Sequence, residues 1–163
     1  MSILLTPDPI DAPAELAAFQ AARFATDLET GAVVSFTGHV RADGGKVEAL
    51  ELEAYPGFTE TAIREMAEAA AVRHGLQDWR IVHRVGRVVP GETVVFVVAA
   101  SAHRRAAFEG ADQMMDYLKS RAPFWKKSHD TDGARWIDPR PEDYQDAARW
   151  DAPGDAATQE TNP

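Results

Sequence analysis

An uninterrupted apolar run is the feature that most constrains the fold. The run from Val94 to Ala100 reads VVFVVAA and contains no polar side chain. A strand with one wet face alternates apolar and polar residues, whereas a strand covered on both faces is apolar throughout. The run therefore predicts a central strand with protein on both sides.

The segment after this strand has the pattern of an amphipathic helix. Ser101 is a preferred N-cap residue, and Pro123 predicts that the helix ends at Ala122. The core-facing side of this helix is predicted to carry four apolar residues at helical spacing, namely Phe108, Ala111, Met115 and Leu118.

The rest of the chain alternates strand and helix signals. Helices are predicted from Asp11 as N-cap to about Ala25 and from Thr59 as N-cap to Gly75. Further strands are predicted at 3–6, 32–40, 50–54, 81–85 and 135–137, with a mobile loop at 41–46 and a helical turn at 142–150. The order β-α-β-β-α-β-β-α-β indicates a mixed α/β (α+β) fold in which short turns favour antiparallel pairing.

Length and composition limit the organisation and the possible functions. We predict one domain over residues 1–150 and a disordered tail over 151–163, which is polar and contains Pro and Gly. The chain has no cysteine, so any sulfur chemistry must use sulfur brought by another molecule. The N-terminal residues show neither a signal peptide nor a membrane span, which predicts a cytoplasmic protein. The net charge of −9 argues against general nucleic-acid binding.

A cationic segment interrupts this acidic chain between Ser101 and Lys127, with six basic and three acidic residues. At its start, His103, Arg104 and a helix N-terminus could bind a phosphate, or they could be a solvated helix start. At its end, Lys119 could simply complement the helix dipole. A lysine beside Phe124 and Trp125 could instead be partly desolvated and act in acid–base or nucleophilic chemistry.

Two other site classes receive no support from the sequence. The histidines lack the i, i+4 pairing and the nearby carboxylates of a metal site. The glycines match neither nucleotide-binding pattern, G-x-G-x-x-G or G-x-x-x-x-G-K-[ST]. We therefore predict neither a metal ion nor a nucleotide cofactor.

The motifs together resemble the large, catalytic subunit of molybdopterin synthase, the MoaE family. The strongest motif is Met115-Asp-Tyr-Leu-Lys-Ser-Arg-Ala-Pro-Phe-Trp-Lys126, preceded by Ser101-Ala-His-Arg104. Four further motifs follow the family's order: Phe36-x-Gly-x-Val-Arg41, Glu53-Ala-Tyr-Pro-Gly-Phe58, His83-Arg-Val-Gly86 and Pro90-Gly-Glu92. The resemblance covers roughly residues 31 to 150.

This resemblance implies a fold, a reaction and partners. The fold would be an α/β hammerhead with a mainly antiparallel sheet and an extra small β subdomain. The chain would form a homodimer within a heterotetramer, with a small ubiquitin-like sulfur-carrier subunit at each outer end. The carrier's C-terminal Gly-Gly thiocarboxylate would donate sulfur to cyclic pyranopterin monophosphate, and two transfers would make the dithiolene of molybdopterin. No membrane and no nucleic acid is implied.

The resemblance also implies roles for individual residues. Lys119 and Lys126 would be the catalytic pair, and Arg140 would reach the site of the neighbouring subunit. Phe36 and Met115 would be apolar pocket walls. The implied substrate-binding residues are His39, Val40, Arg41, His103, Arg104, Lys119, Lys126, Lys127, Ser128 and Arg140.

Two alternatives stay open at this point. The chain could be another phosphate-ester transferase whose cationic segment binds a different ligand. It could also be a non-catalytic docking partner of a ubiquitin-like protein, with an apolar groove and no chemistry of its own.

Overall fold

Two four-stranded sheets and four helices make up the part of the chain that the computed structural model describes, residues 1–151. The helices are α1 (Ala12–Thr26), α2 (Phe58–His74), α3 (Arg104–Ser120) and α4 (Pro141–Ala148). The strands are β1 (Ser2–Thr6), β2 (Ala32–His39), β3 (Val47–Ala54), β4 (Asp78–Arg84), β5 (Gly86–Val88), β6 (Thr93–Ser101), β7 (Phe124–Asp130) and β8 (Gly133–Trp136).

The first sheet has the strand order β1-β4-β6-β2 and is covered on both faces. β1 and β4 are parallel, which the long connection through α1, β2, β3 and α2 permits, and the other pairs are antiparallel. Val97 packs with α2 and α3, whereas Phe96 and Val98 pack with Phe19 of α1. This two-sided burial confirms the central strand predicted from the VVFVVAA run.

The second sheet has the order β5-β3-β7-β8 and is antiparallel throughout. β7 and β5 were not predicted from the sequence. β7 reads FWKKSHD and has too few apolar residues to show strand alternation. It is a strand because it pairs with β3 along its length, from Val47 opposite Asp130 to Ala54 opposite Phe124. The second sheet is the expected extra β unit, and the expected mainly antiparallel α/β architecture is confirmed.

Two predicted helix caps are wrong, whereas the Asp11 cap is confirmed by its side chain, which accepts from the Ala14 N–H at 3.0 Å. Ser101 is the last residue of β6, paired with Ala32, and its hydroxyl donates to the Gly75 carbonyl at 3.2 Å. α3 begins three residues later, after His103, and ends at Ser120 rather than Ala122.

Thr59 lies inside α2, after Gly57 at the N-cap position. It is buried, and its hydroxyl donates to the Pro123 carbonyl at 3.0 Å and accepts from the Tyr55 N–H at 2.9 Å. This buried hydroxyl therefore joins the start of α2 to the segment before β7 instead of capping the helix.

The C-terminal part of the described chain packs mainly on α3. The predicted helical turn is α4, which is followed by a turn at Asp151. Asp151 is ion-paired with Arg121 at 2.5 Å, and residues 152–163 of the predicted tail lie outside the described residues. Among residues 1–151, no helix is long and apolar enough to cross a membrane.

Candidate functional site

A cleft lies where the two sheets meet and consists of two adjoining cavities of about 570 and 500 Å³. We call the larger one the outer lobe and the smaller one the inner lobe. The outer lobe extends to Ser128 of β7 and to the segment 135–140 before α4. The residues common to both lobes are His39, Leu50, Arg41, Val94, Lys119, Lys126 and Arg140.

The inner lobe has apolar walls and a cationic rim. Phe36 of β2 and Met115 of α3 line it, as the sequence predicted for pocket walls. Leu52 and Leu118 add further apolar surface. A cavity of this kind binds a flat organic ligand along its walls and an anionic group at its rim.

Lys119 and Lys126 meet at the C-terminal end of α3. Lys126 Nζ donates to the Leu118 carbonyl at 3.3 Å and lies 3.5 Å from the Lys119 carbonyl. These are carbonyls of the last turn of α3, where the helix dipole favours a cation. Burial and, to a smaller extent, the positive charge of Lys119 lower the pKa of Lys126 to about 8, against the opposing effect of Asp143. Lys126 can therefore exchange a proton near neutral pH.

Strand alternation in β7 separates three residues that are consecutive in the sequence. Lys126 and Ser128 line the cleft, whereas Lys127 lies on the other face with its ammonium 4.6 Å from the centre of the Trp136 ring. The hydroxyl of Ser128 donates to the carboxylate of Asp130. The structure thus brings Lys126 and Ser128 into the cleft but does not bring Lys127 there.

The end of β2 places His39, Val40 and Arg41 at the cleft. A bulge in the pairing with β6 lies between Gly38 and His39, and such bulges redirect the side chains that follow. The Arg41 side chain is exposed and lies 3.3 Å from Asp43. Arg41 therefore sits at the mouth of the cleft, on a loop open to solvent.

Arg140 reaches both lobes from the opposite side. It precedes α4, its backbone N–H donates to Asp143 Oδ2 at 2.9 Å, and its side chain is exposed. The prediction assigned Arg140 to the neighbouring subunit's site, and in this chain it lines the cleft of its own subunit.

His103 and Arg104 are placed at the other end of α3. Both are exposed, and neither lines either lobe of the cleft. Seventeen residues of α3 separate the two ends, which corresponds to roughly 25 Å at ~1.5 Å per residue. Within one chain, the predicted phosphate-binding pair and the predicted lysine pair therefore belong to two separate surfaces.

His83 lines the inner lobe. The sequence argued against a metal site at this histidine and predicted no other role for it. It is buried in β4, its ring stacks on Phe124 with centroids 4.4 Å apart, and its Nδ1 lies 2.8 Å from the Arg84 carbonyl. Burial and, to a smaller extent, the charges of Lys126 and Lys119 lower the pKa of His83 to about 4, against the opposing effect of the hydrogen bond to Arg84. The available signal was its place in the His83-Arg-Val-Gly86 motif.

Fold and cleft together define a class of protein. It is a mixed α/β protein whose half-apolar inner lobe carries two lysines and two arginines and is suited to an organic ligand with negative charge, whereas the outer lobe adds Arg135 and the carboxylates of Asp43, Asp138 and Asp143. Comparison with known proteins identifies the family within this class. The model of the MoaE protein family matches residues 5–121, so the chain belongs to the MoaE family.

Relatives and solved structures agree with this assignment. The molybdopterin synthase catalytic subunit of Caulobacter vibrioides is 56% identical over 93% of this chain and 98% of its own length. The structure of the molybdopterin biosynthesis MoaE protein from Burkholderia ambifaria has a TM-score of 0.77 and 42% identity, with 93% of this chain and 99% of that chain covered.

A more distant structure shares the fold. It is described as the protein–protein complex of subunits 1 and 2 of molybdopterin-converting factor from Helicobacter pylori, and it has a TM-score of 0.72 and 22% identity. The alignment covers 85% of this chain and 91% of that one. These structures confirm the fold class expected from the sequence motifs.

Proposed function

We propose that this chain is the catalytic subunit of a molybdopterin synthase. It transfers sulfur from the thiocarboxylated C-terminus of a small carrier protein to cyclic pyranopterin monophosphate. The observation that carries this proposal is the pairing of Lys119 with Lys126 at the meeting point of the two lobes, in a chain without cysteine. The curated relatives that share this fold carry the same activity in their names.

The charges of the cleft fit both reactants. A phosphate ester and a thiocarboxylate each carry negative charge, and Arg41, Lys119 and Arg140 present cations to both lobes. The apolar walls at Phe36 and Met115 suit the flat pterin ring. Cations held in a partly closed cavity interact with these anions more strongly than they would in bulk water.

The chemistry requires groups that stabilise charge and move protons. Each sulfur that bonds to a pterin side-chain carbon displaces an oxygen from that carbon. Its bond to the carrier's carbonyl carbon then breaks by hydrolysis, and water supplies the oxygen that leaves a carboxylate on the carrier. Lys119 is placed to stabilise the oxyanion that forms at that carbonyl. Lys126, with its pKa near 8, is placed to give or accept the proton of the attacking water.

The assembly is part of the proposal. We infer a homodimer of this subunit with one ubiquitin-like carrier at each outer end, a heterotetramer located in the cytoplasm. The named complex of two molybdopterin-converting-factor subunits, which has the same fold, supports this arrangement. The substrate contacts of His103 and Arg104, and the reach of Arg140 into the neighbouring subunit's site, remain predictions of the sequence.

The experiment that tests the function is reconstitution of the reaction. The purified chain is incubated with cyclic pyranopterin monophosphate and a thiocarboxylated carrier, and the pterin is analysed by mass spectrometry. The expected result is a pterin that has gained two sulfur atoms. If no sulfur is transferred by a carrier that is active with another synthase, the proposal is wrong.

The second candidate is a docking protein without chemistry of its own. An exposed aromatic group at Tyr55, Trp125 and Trp136 favours it, because such a surface suits a protein partner. The two candidates differ in what Lys119→Ala does. A docking protein would support normal product formation after this change, whereas the synthase would not.

A further inference from the structure

The inner lobe is rich in hydrogen-bond donors and poor in acceptors. Its charged side chains are Arg41, Lys119, Lys126 and Arg140, and no carboxylate of residues 1–151 lines it. A pterin carries its own N–H and O–H donors, which need acceptors once they are buried. Apart from backbone carbonyls, the acceptors of this lobe must therefore be neutral side chains.

His83 is built to be such an acceptor. Nδ1 lies 2.8 Å from the Arg84 carbonyl, and because a carbonyl can only accept, Nδ1 carries the hydrogen. A neutral ring with hydrogen on Nδ1 has a bare lone pair on Nε2. Within residues 1–151, Nε2 has no hydrogen-bond partner and is not one of the unpaired polar atoms that are fully buried. Its free acceptor therefore faces the lobe that His83 lines.

The surroundings keep this ring neutral and fixed. Burial together with the charges of Lys126 and Lys119 lowers the pKa of His83 far below neutrality, to about 4. Stacking on Phe124 and the bond to Arg84 hold the orientation of the ring. A histidine with this environment is neutral at pH 7, so its Nε2 is an acceptor there.

We propose that His83 is a further substrate-contacting residue, which accepts through Nε2 a hydrogen bond from an N–H or O–H group of the pterin bound beside Lys119 and Lys126. This inference rests on the proposed function, because it takes the ligand to be the phosphate-bearing pterin. It assigns to His83 the recognition of the donor edge of the ring, whereas the cations recognise the anionic groups.

Three substitutions distinguish the role of His83 as a hydrogen-bond acceptor from its role in packing against Phe124. His83→Phe keeps the ring that stacks on Phe124 but has no polar atom. His83→Asn keeps a donor near the Arg84 carbonyl and places no atom at the position of Nε2. His83→Gln is long enough to place an amide oxygen near the position of Nε2 and is the conservative rescue.

The test is the dissociation constant of cyclic pyranopterin monophosphate for the full chain, measured by calorimetry, together with kcat and KM of the reconstituted enzyme. Loss of one such hydrogen bond should weaken pterin binding and raise KM about tenfold in the Phe and Asn variants, with the Gln variant closer to wild type. Affinity for the carrier should be unchanged in all three. Because Asn retains the bond to Arg84, it serves as the decisive variant if Phe fails to fold.

Each failure has its own signature. Wild-type pterin binding in both the Phe and the Asn variant would overturn the role of His83 while leaving the proposed function intact. Wild-type protein that binds the pterin without transferring sulfur would overturn the proposed function, and the comparison of dissociation constants would still decide the role of His83. Detection by ¹⁵N NMR of a hydrogen on Nε2 in the free protein would overturn the inference without any ligand.

Discussion

Lys119 and Lys126 are seven positions apart in the sequence, and their environments are different. Lys119 is exposed at the end of α3, whereas Lys126 is half-buried with its ammonium against the carbonyls of the same helix end. Sequence motifs indicated that both matter, but the spacing alone could not show that β7 folds back to place Lys126 beside Lys119. The next residue, Lys127, provides a natural control because it lies on the opposite face of β7.

Replacing Lys119 by alanine should remove sulfur transfer without affecting the fold. The lost cation faces both lobes, so we expect turnover to fall at least ~10²-fold, as for other groups that stabilise an oxyanion. Product formation and circular dichroism measure the two effects. Lys127→Ala is the matched control and should keep most of the activity, and near-normal turnover by Lys119→Ala would contradict the catalytic role.

The lowered pKa of Lys126 predicts how pterin binding depends on pH. Below pH 8 the ammonium is charged and attracts the anionic pterin, and above that value the amine loses this charge. Affinity should therefore fall roughly tenfold between about pH 7 and about pH 9.5, as expected for the loss of one charge-assisted bond. Lys126→Arg stays charged over this range and should show a flat profile. Equal pH dependence in both proteins would exclude Lys126 as the titrating group.

The buried neutral His83 predicts a loss of stability in acid. Its pKa is 6.5 when unfolded and about 4 when folded, so the unfolded state binds the proton first as the pH falls. This contribution is fully present above pH 6.5 and is lost as the pH falls toward 4, by up to about 3 kcal/mol. The charges facing the ring are those of Lys119 and Lys126.

Urea unfolding of wild type and His83→Phe at several pH values isolates this effect from that of the carboxylates. The variant should lose less stability than wild type between pH 6.5 and pH 4. His39→Phe, which changes an exposed histidine of the same cleft, should follow wild type. Parallel curves for all three proteins would show that His83 is not held neutral in the folded state.

At the scale of the element, α4 connects the cleft to the far side of α3. Its N-terminal end carries Arg140 and Asp143 at the outer lobe. After its C-terminal end, Arg149 and Trp150 both donate to Asp116 of α3, at 2.7 and 2.6 Å. The position of Arg140 thus depends on contacts made at the opposite end of a short helix.

Breaking this attachment should lower stability and activity together. Asp116→Ala removes a half-buried acceptor from Arg149 and Trp150, and we expect a loss of about 1–2 kcal/mol in the free energy of unfolding. Turnover should also fall, because α4 positions Arg140. Asp112→Ala is the matched control, since Asp112 is exposed and, among the partners within residues 1–151, is ion-paired with Arg149 alone, and it should cost less than about 0.5 kcal/mol. Equal effects of both changes would exclude a specific role for Asp116.

For the whole molecule, local patterns predicted the elements, and only long-range pairing determined their arrangement. The VVFVVAA run and the periodicity of α3 were sufficient to predict the central strand and its helix. Burial on two faces requires a continuous apolar run, and burial on one face requires apolar residues at helical spacing. β7 shows neither pattern, because most of its residues serve the cleft and the exposed aromatic surface, although Phe124 at its start packs against the core. Ser101 was misassigned as a cap because pairing with Ala32 extends β6 by one residue.

The candidate site was predictable in part for the same reason. The family motifs led to nine residues that do line the cleft, from Phe36 to Arg140. They could not show that Lys127 faces away or that His83 has a free acceptor. Both properties depend on the direction of a side chain, which follows from strand alternation or from a single backbone hydrogen bond.

The distribution of charge over the whole molecule gives a last prediction. The net charge is −9, yet the inner lobe presents Arg41, Lys119, Lys126 and Arg140, so an anionic ligand is attracted to one place and repelled from much of the remaining surface. Raising the salt from about 0.05 to about 0.5 M should weaken binding of cyclic pyranopterin monophosphate several-fold, because the rim cations are exposed and therefore screened. A pterin that lacks the phosphate should show little salt dependence. If the binding of both ligands depended equally on salt, the cations would not bind the phosphate, and binding would be dominated by the apolar walls at Phe36 and Met115.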